Sequence, residues 1–181
     1  GDRVLLPLLR ALAAPPDMLV VSHQDSDHSG GAVAILQHLP PRVFYTSMPP
    51  AADWPAAPAP QHCQAGMGWD WDGVHFEFLR PLADDYAHNL STNAMSCVLR
   101  VSNGTQSLLL AGDLPAAQEQ ALVDSLPSAA LASTVLLVPH HGSKTSSSPA
   151  FLQAVAPHWG IIQAAYLNRY GHPAPLISQR Y

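Results

Sequence analysis

The apolar positions of this 181-residue chain fall into short runs separated by proline and glycine. Residues 4–14 (VLLPLLRALAA) predict a short apolar helix, with Pro7 tolerated in its first turn and Pro15-Pro16-Asp17 ending it. Residues 18–22 (MLVVS) are a continuous apolar run, the mark of a strand buried on both faces. A polar, Gly-ended loop follows, then a helix over 32–39 that stops at Pro40-Pro41, and a strand over 42–46 (RVFYT). Seven of the 18 prolines lie between positions 40 and 60, so the part after Ser47 is expected to be a surface loop. Residues 74–79 (VHFEFL) alternate as a strand does. Strands over 96–101 and 107–111 are joined through Asn103-Gly104, a strong hairpin signal. Beyond them come a helix over 115–126, a buried strand over 134–138 (TVLLV), a helix over 149–155 and a last strand over 159–164. The chain is therefore of the α/β (α+β) class, with hairpins as well as crossovers. No internal repeat and no second domain is visible, so residues 1–181 are read as one domain.

Composition narrows the function. Hydrophobic residues make up 48% and charged residues 12%, about half the usual share of roughly 25%. That excludes a disordered chain. No window reaches the roughly 18 continuous apolar residues of a membrane span. A net charge of -5 argues against a protein that holds nucleic acid by a basic surface. Ten histidines against one lysine, Lys144, point towards metal chemistry. Cys63 and Cys97 are too few for a disulfide scaffold. The chain opens on Gly1-Asp2-Arg3 with neither methionine nor a signal-peptide pattern, which reads as a piece of a longer protein.

Three constellations carry chemistry. The first, Ser22-His23-Gln24-Asp25-Ser26-Asp27-His28 followed by Ser29-Gly30-Gly31, stands directly after a strand. Four potential ligands in six positions cannot all point one way from a helix or a strand but can converge from a loop, and His23 with Asp25 can serve one ion while Asp27 with His28 serves another. The second is Gly112-Asp113 at the end of a strand. Alone it reads as a helix cap; beside a two-metal site the carboxylate is placed to bridge two dications roughly 3.5–4 Å apart. The third is His140-His141-Gly142-Ser143-Lys144-Thr145-Ser146-Ser147-Ser148. Adjacent histidines are expected to point in different directions, so one ligates and the other contacts a partner or the substrate. The hydroxyls, backbone N–H groups and Lys144 are material for holding a phosphate. Asn93 to Ser96 and Asn168-Arg169-Tyr170-Gly171-His172-Pro173 are weaker groups. His38, His62, His75, His88 and His158 are assigned to the surface or to structure.

The run His23-x-Asp25-x-Asp27-His28, with Gly112-Asp113 and His140-His141-Gly142-Ser143, resembles the metallo-β-lactamase fold superfamily. Asp25 where that signature has His, together with Asn93-x-x-Ser96, HHGSKTSSS and Asn168-Arg169-Tyr170-Gly171-His172-Pro173, resembles the ComEC family of DNA-internalisation competence proteins. The likeness runs from about Arg3 to Pro175. It implies an αββα sandwich, the soluble domain that follows a polytopic membrane channel, with the hairpin that opens the domain lying upstream of Gly1 and a final helix starting near Tyr181. It further implies two divalent ions, Mn²⁺ or Zn²⁺, held by His23, Asp25, Asp27, His28, Asp113 and His140, with His141 the alternative to His140. Carboxylate in place of imidazole favours the harder Mn²⁺, and no small-molecule cofactor is implied.

The resemblance makes the chain a metal-dependent phosphodiesterase that degrades one DNA strand during uptake. Asp27 orients the attacking water, Lys144 and Arg169 offset charge at the transition state, and His172 or His141 protonates the leaving oxygen. Ser143, Lys144, Thr145, Ser146, Asn168 and Arg169 contact substrate. The partners are DNA, the channel portion of the same polypeptide and the competence machinery. The setting is the inner or cytoplasmic membrane, on its periplasmic or extracytoplasmic face. Two other functions fit the same motifs: a hydrolase of a small phosphodiester or ester, and a non-catalytic module that binds metal or DNA and gates the channel.

Overall fold

A computed structural model describes residues 1–49, 54–55 and 58–181 of the chain. Part of the proline-rich loop expected after Ser47 lies outside the described residues. The chain divides into two compact units, Gly1–Cys63 and Gln64–Tyr181.

The first unit holds a three-stranded parallel sheet in the order β1-β2-β3, with β1 at Met18–Val21, β2 at Val43–Thr46 and β3 at Pro60–His62. Its helices are α1 (Leu5–Ala11), the single turn α2 (Ser26–Ser29) and α3 (Ala32–His38). Strand β2 alternates as a half-buried strand must, with Phe44 and Thr46 inside. Phe44 packs with Val21, Ala32, Leu36 and Met48, and meets Trp54 edge to face at 5.2 Å. The double-sided burial expected of 18–22 is not found. Met18, Leu19 and Val20 are only half-buried, and among the described residues β1 has a single neighbour, β2, in its sheet.

The second unit holds a six-stranded sheet in sequence order: β4 (Gly68–Trp71), β5 (Val74–Arg80), β6 (Val98–Ser102), β7 (Ser107–Leu110), β8 (Val135–Leu137) and β9 (Trp159–Ile161). Strands β4 to β7 are antiparallel neighbours, and β7, β8 and β9 run parallel. The parallel crossovers carry α4 (Ala116–Ser125), α5 (Ser128–Leu131) and α6 (Pro149–Val155). These bury Leu122, Leu131, Phe151 and Val155 against Leu109 and Leu136 of the sheet. Helix α6 starts at Pro149, and the Ser148 hydroxyl caps it by accepting the Phe151 N–H. Because β7, β8 and β9 are parallel, their carboxyl ends open on one edge of the sheet, the place where parallel sheets put their sites. Asp113, the His140-His141 pair and residues 162–173 follow those three ends in turn.

Two strands were not expected. Strand β3 (PQH) carries no apolar pattern, and its proline is allowed at a strand's first position. Strand β4 (GWDW) is joined to β5 by Asp72-Gly73, both at positive φ, a two-residue hairpin signal plainly present in the sequence. The last helix, α7 (Pro175–Arg180), begins six residues before the Tyr181 start that the resemblance implied. Among the described residues no helix is long and apolar enough to cross a membrane.

Candidate functional site

In the first unit the candidate ligands leave the carboxyl end of β1. His23 is fully buried, and Asp27 and His28 ride on α2. The expected open loop is thus a turn of helix, too short to show a helical period. The two imidazoles lie 4.2 Å apart between ring centres. Ser22 sits between them, its hydroxyl 3.0 Å from His23 Nδ1 and 3.4 Å from His28 Nδ1. With the Nδ1 atoms engaged there, each Nε2 faces a carboxylate: His23 Nε2 is 3.8 Å from Asp25 and His28 Nε2 is 3.7 Å from Asp27. The two pairs are those that the spacing assigned to separate ions.

In the second unit Asp113 follows β7, one residue after Gly112, which has a positive φ of 55°. The carboxylate is buried, and the Asp113 N–H donates to the buried Ser96 hydroxyl at 3.1 Å. Ser96 therefore holds the turn that presents Asp113. After β8, His140 and His141 adopt φ of 51° and 55°, and Gly142 continues at 81°. Two successive left-handed residues bring the neighbouring side chains round to one place. Both Nε2 atoms lie 3.7 Å from the same Asp113 oxygen. The expectation that adjacent histidines diverge holds for extended backbone and fails for this one.

Both imidazoles are oriented from behind. His140 Nδ1 is 3.1 Å from the Thr145 hydroxyl, and His141 Nδ1 donates to the Gln163 carbonyl at 2.8 Å. A neutral ring that donates from Nδ1 keeps its Nε2 lone pair for a ligand. Two donors each about 2.1 Å from one ion stand no more than about 4.2 Å apart. All the Nε2–carboxylate separations above are within that limit, so the chemistry and spacing of both groups suit divalent metal.

The loop after His141 is built from within. The Ser143 and Thr145 hydroxyls are 3.0 Å apart, and Ser146 donates to the Leu114 carbonyl at 2.8 Å. Ser147 and Ser148 give their N–H groups to the buried Glu119 carboxylate. Ser143 and Ser146 are buried, whereas Lys144 and Thr145 are exposed. Glu119 gave no sign of this role in the sequence: a lone Glu in a helix reads as a solvated position.

Asn168 uses both ends of its amide on the local backbone, its oxygen accepting Tyr170 and His172 N–H groups and its nitrogen donating to Ala165 and His172 carbonyls. Arg169 is exposed and lies 4.8 Å from the centre of the Tyr170 ring. The His172 ring is 5.9 Å from that of His140. Burial, then the nearby His140 and His141, lower its pKa, while Asp113 opposes the shift. Asn93 occupies a short 3-10 turn before β6. The five histidines assigned elsewhere are all exposed, two of them in surface pairs, His75 with Asp70 and His88 with Asp84.

Comparison with known proteins adds four findings. The profile of the Metallo-beta-lactamase superfamily matches residues 2–162. Competence protein ComA of Neisseria gonorrhoeae is 42% identical over 164 residues, covering 91% of this chain and 22% of that protein. Recombination protein 2 of Haemophilus influenzae is 36% identical over 179 residues, covering 97% of this chain and 21% of that protein. The chain thus spans about a fifth of the length of these relatives. Among solved structures, CmlA, a diiron beta-hydroxylase from Streptomyces venezuelae, superposes with a TM-score of 0.55 at 10% identity, over 93% of this chain and 42% of CmlA. That likeness is one of fold alone.

Proposed function

Because the chain belongs to the metallo-beta-lactamase superfamily and has its fold, we propose that it is a metal-dependent phosphodiesterase acting on DNA. In this reading it is the nuclease domain of a larger DNA-uptake channel and hydrolyses one strand while the other enters the cell. The family match runs through both units, and we read them as one catalytic domain. The observation that carries the hydrolase reading is the state of four histidines. His23, His28, His140 and His141 each have Nδ1 engaged by a protein oxygen and Nε2 turned to a carboxylate. The DNA reading rests on the competence-protein relatives and on the Asp25, HHGSKTSSS and Asn168-to-Pro173 features of the ComEC family.

We assign His23, Asp25, Asp27, His28, Asp113 and His140 as ligands of two divalent ions, with His141 a further ligand on the strength of its matched 3.7 Å approach to Asp113. When bound, the ions supply a water activated at neutral pH and positive charge at phosphorus. Three carboxylates among the ligands favour Mn²⁺ over Zn²⁺. The Asp27 carboxylate orients the attacking water. Lys144 and Arg169, both exposed, meet the phosphate, as does the exposed Thr145 that follows Lys144 in the chain. Ser143, Ser146 and Asn168 shape the two loops that present these groups. His172 hands a proton to the leaving oxygen. The partners in this reading are the DNA strand, the membrane-channel portion of the same polypeptide and other competence proteins, on the extracytoplasmic side of the inner membrane.

The test is cleavage of single- and double-stranded DNA by this chain with Mn²⁺, with Zn²⁺ or with chelator. Asp27→Asn is expected to abolish Mn²⁺-dependent cleavage and leave folding intact, since the Asp27 side chain is 63% exposed. Full activity in that variant refutes the mechanism. Tight metal binding with no turnover of DNA or of an activated phosphodiester refutes the enzymatic reading itself.

A further inference from the structure

Residues 163–174 are tied down at both ends beside the second-unit histidines. The Gln163 carbonyl accepts from His141 Nδ1, and the Ala174 N–H donates to the Gly142 carbonyl at 2.9 Å. Within the segment, the Asn168 N–H donates to the Ala165 carbonyl at 3.3 Å, which makes Tyr166 and Leu167 the central pair of a tight turn. Leu167 has a φ of 52°, a conformation that turns ordinarily assign to Gly or Asn. A turn needed only to reverse the chain has no use for two large apolar residues there. Yet Tyr166 is 92% exposed and Leu167 85%, and Tyr170 just beyond them is 66% exposed. Arg169 lies over the Tyr170 ring, and the His172 ring is 5.9 Å from that of Tyr170 and 5.9 Å from that of His140. Aromatic and cationic groups thus run outward in a row from a candidate metal ligand.

We propose that this turn is a base-stacking platform, with Tyr166 its principal ring, that holds an unpaired nucleobase of single-stranded DNA beside the hydrolytic centre. The inference rests on the phosphodiesterase reading and adds the strand that the site selects. A chain with a net charge of -5 and one lysine has little electrostatic grip on phosphates. Stacking supplies affinity that does not depend on charge and accepts any base, because every base has a π-face. A duplex keeps its bases stacked internally, so the platform favours single strands.

The experiment measures binding of this chain to a fluorescent single-stranded oligonucleotide, to the same strand with abasic sites, and to phosphatidylglycerol vesicles. Turnover of methyl p-nitrophenyl phosphate with Mn²⁺ reads the hydrolytic centre by itself. Tyr166→Ala is expected to weaken binding of the normal strand about fivefold or more, with abasic-strand binding and small-diester turnover unchanged. Tyr166→Trp is expected to restore the affinity. Equal losses on normal and abasic strands, no loss on either, or no strand binding by the unaltered chain each overturn the platform. Vesicle binding that falls in Tyr166→Ala while strand binding holds overturns it in favour of a membrane-inserting tip. Should the unaltered chain turn over neither diester nor DNA, the phosphodiesterase reading fails, and the binding arms still decide the platform.

Discussion

The Glu119 carboxylate accepts the backbone N–H of Ser147 at 2.6 Å, and its second oxygen accepts that of Ser148 at 2.7 Å. Glu119 is completely buried on α4, at a position that the helix would otherwise fill with an apolar side chain. Ser147 has a positive φ of 58°, its carbonyl accepts from Arg180 at 2.8 Å, and its hydroxyl lies 3.0 Å from the Tyr181 hydroxyl. The loop carrying Lys144 and Thr145 is thus moored to a helix behind it. Glu119→Ala leaves the buried Ser147 N–H and the half-buried Ser148 N–H without their acceptor and is expected to cost about 1–3 kcal/mol in urea unfolding. A cost below the error of the measurement refutes the mooring.

The same carboxyl gives a pH dependence. Burial raises the Glu119 pKa above the ordinary carboxylate value, and the N–H donors and Arg180 oppose the rise without cancelling it. A carboxyl whose folded pKa exceeds its unfolded one favours folding most below the unfolded value. That advantage is lost as pH climbs through the folded value. The stability of the natural chain relative to Glu119→Gln is therefore expected to fall with rising pH across that window and then level off. Unfolding curves of both proteins from about pH 4 to 8 check this, and a difference that grows with pH contradicts it.

The second unit's histidines predict the effect of a residue that binds no metal. The Thr145 hydroxyl, 3.1 Å from His140 Nδ1, fixes the ring that points Nε2 at Asp113. Partners of this kind commonly contribute 10–100-fold to metal affinity. Thr145→Val is expected to weaken Mn²⁺ or Zn²⁺ binding by about that factor in calorimetry, with His140→Ala and His141→Ala weakening it further. Unchanged affinity in His140→Ala with a large loss in His141→Ala would remove His140 from the ligand set and leave His141 in it.

Much of this arrangement was legible beforehand, and the failures have local causes. The gathering of His and Asp at 23–28, 113 and 140–141, each after a strand, was readable because the residues stand close together in the chain and follow apolar runs. The common direction of His140 and His141 was not, since it depends on two successive left-handed residues that nothing in His-His itself signals. Strand β4 was missed although Asp72-Gly73 announced its hairpin, whereas β3 left no pattern to find. Glu119 was invisible because burial of a charged residue is decided by its tertiary partners, here the N–H groups of a loop 28 residues away.

Gly142 shows why the motif needs a glycine after its histidines. Its φ is 81°, and an added Cβ would lie 2.6 Å from Pro173 Cβ and 3.0 Å from Pro173 Cα. The contact is with a rigid ring and backbone, so His172-Pro173 must move to make room. Gly142→Ala is expected to lower both the melting temperature and the turnover of an activated phosphodiester, because the His172 ring shifts away from His140. A variant with full turnover and an unaltered melting temperature would show that the loop yields without effect.

The ion pair of Arg80 and Asp85 tests the framework of the second unit apart from its chemistry. Arg80 Nη2 donates to Asp85 at 2.7 Å, with side-chain exposures of 5% and 14%, and the same carboxylate oxygen accepts the Leu82 N–H at 2.7 Å. Screening is weak at such burial, and removing one partner strands the other charge. Asp85→Ala is therefore expected to destabilise the chain by about 3–5 kcal/mol. A double variant, Arg80→Met with Asp85→Leu, removes both charges at similar volume and is expected to recover most of that loss, since paired burial contributes little net stability over apolar packing. Urea unfolding of Arg80→Met, Asp85→Leu and the double variant completes the cycle. A loss under about 1 kcal/mol in Asp85→Ala would mean that the pair is solvated as a surface bridge is, and that β5 and the turn after it are held by apolar contacts alone.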